Sequence, residues 1–153
     1  RAVIDLDGTT IVVIVAHPPP PEITWSGIQP RPGTAHQMTS LIELIRSTNE
    51  PLLLLGDLNI TQMHDVYGQL RSAGLQDTFH VAGNGLGFTM PTRMVKLAAV
   101  SDLLGELSIW PAARIDYVWA SAAWQPVTAW VGDDAGSDHL PVLAKVSLLP
   151  VAT

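Results

Sequence analysis

Asp57 and Asn59 end the string PLLLLGDLNIT at 51–61. His17 follows the apolar run IVVIVA, Asp116 lies in RIDYV, and Asp138 and His139 lie in GSDHLPV. Four leucines running into a glycine, an acid and an amide read as a strand buried on both faces, with polar groups at its end. If the extended conformation persists to Asn59, side chains 57 and 59 point to the same side. A carboxylate and a carboxamide facing one spot suit a metal ion or a phosphate better than a core. Such groups are costly to bury without partners. Their repeated placement at strand ends is what an active site above a sheet would produce.

The elements that must position them follow from periodicity and punctuation. AVIDL at 2–6 reads as a strand, DGT at 7–9 as a hairpin turn, and TIVVIVA at 10–16 as a second, more buried strand. PPPP at 18–21 breaks regular structure, and two further prolines and two glycines make 22–33 a loop. Met38, Leu41, Ile42, Leu44 and Ile45 follow helical spacing over 35–48, and Pro51 excludes continuation. A second helix fits 63–73, with Gly74 as its stop. LQDTF at 75–79 is ambiguous, GNGLG at 83–87 is a loop, and 94–109 has a mixed pattern. Strands follow at 114–121, 127–132 and 140–149. Helices between strands early and strands dominating late give an α/β layered domain with a mixed sheet.

The chain has 153 residues, enough for one domain with a real core. It is 47% hydrophobic and only 14% charged, which excludes a disordered chain. The net charge of −6 argues against a general electrostatic grip on nucleic acid, while a local basic groove stays open. Cysteine is absent, which excludes thiolate metal sites, disulfides and cysteine nucleophiles. The apolar runs are too short to span a bilayer, and no signal peptide is visible. The compartment stays open, an exported or membrane-attached parent included. Starting at Arg1 without methionine and entering directly into a strand, the sequence reads as cut from a longer protein.

GDLN, RIDYVW and SDHLPV, in that order, closely resemble the endonuclease/exonuclease/phosphatase family, which is deoxyribonuclease-I-like. GLGFTMPT also resembles the family's threonine-and-proline stretch before the RIDY strand. The resemblance implies a four-layered α/β sandwich with two packed mixed sheets. It also implies phosphoester hydrolysis with Mg2+ or Mn2+. On that resemblance Asp57 orients the attacking water or approaches the metal, and Asn59 holds a phosphate oxygen or the nucleophile. Asp138 lies near or on the metal. His139 lies at the phosphate, with Asp116 bonded to its other ring nitrogen. His17 is the second histidine, stabilising the phosphate or protonating the leaving oxygen. Phosphoester hydrolysis needs charge neutralisation, an oriented water and help for the leaving group, so these residue types suit it.

The family places a metal-binding glutamate, and an asparagine before it, upstream of the segment matching 10–17. Glu22, Glu43, Glu50 and Glu106 do not stand in that order. Residues 1–153 are therefore expected to be the C-terminal portion of one such domain. As it stands the chain should bind magnesium poorly, hydrolyse little, and self-associate through an uncovered sheet face. The substrate is expected to be a phosphoester: a small molecule, a lipid head group or a nucleic acid. The acidic balance and the apolar 94–113 region favour a small or lipid-linked one. The rival reading is a non-catalytic binding module retaining the fold. The two differ in whether the six side chains converge in one pocket.

Other residues carry blander readings. Asp116 also fits a buried acid paired with Arg114. His36, His64 and His80 match no motif. Thr89 suits a phosphate contact less well than a structural role. Trp25, Trp110, Trp119, Trp124 and Trp130 fit a substrate platform less well than core or interface.

Overall fold

The computed structural model describes residues 1–25, 27–90 and 113–150. The mixed segment at 94–109 and Trp110 lie outside the described residues. Strands β1 (Ala2–Leu6) and β2 (Thr9–Val15) form the expected hairpin. Its turn places Asp7 at φ 51° and Gly8 at φ 85°, the paired positive values of a tight twisted hairpin. Two short strands, β3 (Glu22–Thr24) and β4 (Gly27–Gln29), pair where a loop was expected. They are three residues each, too short to show alternation in the sequence. Helix α1 (Thr34–Arg46) leads into β5 (Leu52–Asp57), and helix α2 (Asp65–Ser72) stops before Gly74 at φ 91°.

The ambiguous 75–79 segment divides into β6 (Leu75–Asp77) and helix α3 (Thr78–Ala82). Asp77 causes the switch, because its side chain accepts the backbone N–H groups of Phe79 and His80 as an N-cap. The chain ends in β7 (Asp116–Ser121), β8 (Trp124–Val131) and β9 (Val142–Leu148). The β8–β9 register shifts between Pro126 and Thr128, where proline supplies no N–H to the ladder.

The main sheet runs β1-β2-β5-β7-β6. β2 and β5 are parallel and the other neighbours antiparallel, so this sheet is mixed, whereas the β8–β9 sheet is purely antiparallel. Alternation divides the β5 leucines between two layers. Leu52 and Leu54 join Val12, Ile14 and Trp119 against Ile42 and Ile45 of α1 and Leu70 of α2. Leu53 joins Ile11 and Ala120 against Trp124, Val146 and Leu148 of the small sheet. The architecture is the α/β sandwich expected. The described residues supply a helix layer and both sheets. A leucine as fully buried as Leu54 contributes about 2 kcal/mol.

Arg114, just before β7, is buried. Its guanidinium donates to both Asp77 oxygens, at 3.1 and 2.6 Å, and lies over the Tyr117 ring. Arg114 therefore pairs with Asp77 and leaves Asp116 free for other work. The Tyr67 hydroxyl also donates to Asp77 at 2.9 Å. Burial, then the charge of Asp77, pushes the Tyr67 pKa up to about 12, so it stays a donor at neutral pH.

Candidate active site

The C-terminal end of β5 lies between β2 and β7, and both neighbours bring chemistry to it. On one side the ladder continues through Ala16, whose N–H donates to the Leu55 carbonyl at 3.0 Å. His17 comes next, and its Nε2 stands 3.4 Å from Asp57 Oδ2. Gly56 makes this approach feasible. It sits at φ 132°, and a Cβ there would lie 2.1 Å from the Ala16 carbonyl oxygen. On the other side Asp57 is registered directly opposite Asp116.

His139 completes the group. Its Nδ1 lies 2.9 Å from Asp116 Oδ2 and 4.0 Å from Asp57 Oδ2. Asp57, Asp116 and His139 offer ligand atoms within 4.8 Å of one another. Their side chains are 17–20% exposed, whereas His17 is 70% exposed, so the group is open to a substrate from the His17 side.

Asn59 reaches the site differently from expectation. The strand ends at Asp57, and Asn59 turns to φ 52°. Strand alternation therefore does not carry the carboxamide to the side of Asp57. Instead Asp57 Oδ1 accepts the Asn59 backbone N–H at 2.8 Å, and Asn59 Nδ2 donates to the Pro18 carbonyl at 2.9 Å. Asn59 thus ties the segment after His17 to the end of β5. Asp138 is exposed. Its carboxylate accepts from Ser137 at 3.4 Å and lies outside the group of three.

Burial raises the Asp57 pKa above its ordinary value. The Asn59 N–H opposes this, the Asp116 charge adds to it, and His139 and His17 oppose it. Two acids face each other across one ladder, a repulsive arrangement unless a cation stands nearby. Asp116 is engaged by His139, and the Asp57 carboxylate is an oxygen donor of the kind that suits a hard divalent ion.

Thr89 is a positioning residue with only a weak sequence signal. It is wholly buried and touches both arms of the site through backbone. Its hydroxyl accepts from Ile115 N–H at 3.3 Å, and its carbonyl accepts from Leu140 N–H at 2.8 Å. The residues so held adjoin Asp116 and His139. GLGFTMPT was the signal, but the structural role had to be separated from a phosphate contact. His64 is equally structural, since its Nδ1 accepts the Val66 N–H at the start of α2. His36 lies 3.4 Å from Ser40, and His80 is exposed. Trp119 and Trp124 are core, while Trp25 and Trp130 are exposed.

Residues 1–139 match the model of the Endonuclease/Exonuclease/phosphatase family. No curated protein matches the chain. Among solved structures it is similar to a family protein from Leptotrichia buccalis, with TM-score 0.62 and 19% identity over 95% of this chain and 52% of that one. It is similar to a mannosyl-6-phosphatase from Bacteroides thetaiotaomicron, with TM-score 0.57 and 20% identity over 92% of this chain and 51% of the other. A 3′ phosphatase from Neisseria bound to product DNA hairpin gives TM-score 0.62 and 20% identity, covering 95% and 63%. At these identities the likeness is one of fold. The chain spans about half the length of the first two.

Proposed function

Since the chain belongs to the endonuclease/exonuclease/phosphatase family, we propose that His17, Asp57, Asn59, Asp116 and His139 carry the hydrolysis of a phosphoester. The observation that carries this reading is the Asp116–His139–Asp57 group, with His17 beside it. We propose also that residues 1–153 are the C-terminal portion of one domain. Val3, Ile4, Leu6 and Val15 are exposed, which supports a missing partner surface filled by upstream chain or by a second copy.

In this mechanism Asp116 accepts the Nδ1 proton of His139, which leaves Nε2 to take up a proton and then, as imidazolium, to donate to a phosphate oxygen. Asp57, its carboxylate made more basic by burial, orients the attacking water. Asn59 donates one amide hydrogen to Pro18, and its second hydrogen and Oδ1 are its remaining donor and acceptor for a phosphate oxygen or water. Exposed His17 protonates the departing oxygen. A divalent ion, magnesium or manganese, would be held by Asp57, with Asp138 as the second carboxylate on the family resemblance. When bound it supplies charge neutralisation at the non-bridging oxygens.

The test is hydrolysis of chromogenic phosphomonoesters and phosphodiesters by a protein carrying the upstream chain. Activity should vanish with a chelator and return with magnesium or manganese. Chelator-resistant hydrolysis would overturn the metal, and full activity of an Asp57→Asn variant would overturn the site. Convergence of His17, Asp57, Asp116 and His139, with Asp138 standing outside the group, favours this reading over a binding module that only keeps the fold.

A further inference from the structure

Next to the candidate site lies a cleft of about 340 Å³ that the mechanism above does not use. Its walls come from Pro19, Pro21 and Pro30 in the segment after β2, Met38 of α1, Val66 of α2, and Leu58 beside Asp57. Asn59 lines it too, so the same residue borders both the cleft and the carboxylates. No Lys, Arg, Asp or Glu lines the cleft among the described residues. Its volume falls at the lower end of small-ligand pockets, and its proline rings are rigid before anything binds.

Three features indicate what it takes. The lining is mostly apolar, with His64 and Gln69 as polar members beside Asn59 and two threonines, and no Lys or Arg stands there for a second phosphate. The Thr34 hydroxyl, at the cleft, is buried without a hydrogen-bond partner. The β3–β4 hairpin springs from between Pro21 and Pro30 and carries Trp25, fully exposed, in its turn. A large aromatic side chain with no intramolecular cover stands on the element that frames the cleft.

We propose that this cleft receives an uncharged apolar group of the substrate, an aryl ring or a short chain, while the phosphate lies at Asp57 and His139. The proposal rests on the phosphoester reading and narrows its substrate class to apolar phosphoesters.

The test is titration calorimetry of a protein carrying the upstream chain, at saturating magnesium, with inorganic phosphate, methyl phosphate, hexyl phosphate and 1-naphthyl phosphate. Thr39→Phe fills the cleft from an exposed position of α1, whose present hydroxyl bonds only within the helix. 1-Naphthyl phosphate should bind about tenfold tighter than methyl phosphate, from the area it buries. Thr39→Phe should abolish that advantage and leave inorganic phosphate binding unchanged. Preference for the hexyl ester over the naphthyl ester identifies a chain as the apolar group, and the reverse identifies a ring. Equal affinity for methyl and both larger esters, or an advantage that survives Thr39→Phe, overturns the cleft. If neither phosphate nor any ester binds, the phosphoester reading falls and takes this proposal with it.

Discussion

His139 Nδ1 and Asp116 Oδ2 stand 2.9 Å apart, although Asp116 begins β7 and His139 lies in the segment between β8 and β9. An acid at that distance selects one imidazole tautomer and holds the ring in one orientation. Replacing the acid with an amide keeps the shape but offers a donor to Nδ1. Asp116→Asn in a protein with the upstream chain is predicted to lower kcat by about a hundredfold or more. Steady-state kinetics checks this, and an unchanged kcat would remove Asp116 from the mechanism.

Asp57 should show opposite effects on turnover and stability. Its folded pKa is raised, so between the unfolded value of 3.8 and the folded value the native state holds more protons. The carboxylate's contribution is therefore most favourable at low pH and is lost as pH rises through the folded pKa. Asp57→Asn should raise the Tm at pH 7, leave it little changed at pH 3, and reduce turnover by about a hundredfold. Thermal melts at both pH values, with an assay at pH 7, read all three. A fall in Tm at pH 7 would contradict the electrostatic account.

Thr89 separates position from chemistry. Thr89→Val keeps the shape and leaves the Ile115 N–H without its acceptor, at a cost of about 1–3 kcal/mol. Thr89→Ser should restore most of that stability and the activity with it. Urea unfolding of all three forms tests the pair, and failure of serine to rescue would show that the hydroxyl is not what matters.

Gly56→Ala is expected to destabilise the chain by about 2 kcal/mol or more, since φ 132° and a 2.1 Å approach to Ala16 leave no room for a Cβ. Turnover should fall further than stability alone requires, because relief of the clash moves His17 from Asp57. Denaturant titration and kcat on the folded fraction distinguish the two losses.

The Asp77–Arg114 pair should behave as structure and not as chemistry. Asp77→Ala leaves a buried guanidinium uncompensated and should cost about 3–5 kcal/mol. Replacing both residues with apolar ones should recover only the part owed to the bare guanidinium, since the Tyr67 hydroxyl and the α3 N–H groups still lack their acceptor. A double-mutant cycle by chemical denaturation measures the coupling.

Strands were legible in the sequence because β2, β5 and β7 carry apolar runs ending in polar groups, and the Asp-Gly turn announces the first hairpin. The Asp57, Asp116, His139 and His17 neighbourhood followed from those strand ends together with the family strings. The condition for Asn59 to lie beside Asp57, an extended chain through 59, is not met, because a positive φ at Asn59 follows the strand end at Asp57, and period-2 patterning does not register it. The β3–β4 hairpin was hidden by brevity. The partner of Arg114 was hidden by distance, since Asp77 is remote in sequence and its string LQDTF gives no sign of a cap and an ion pair in one residue.

The site joins His17, near the start of the chain, to His139, near its end, through one parallel and one antiparallel strand pairing. Such a centre has high contact order: the chain must close its longest loops before the ring nitrogens and carboxylates can meet. In a protein carrying the upstream chain, regain of activity after dilution from denaturant should therefore lag behind recovery of far-UV circular dichroism, which α1 and α2 can produce locally. A refolding experiment following both signals would make hydrolysis a reporter of the last stage of assembly, with no added probe.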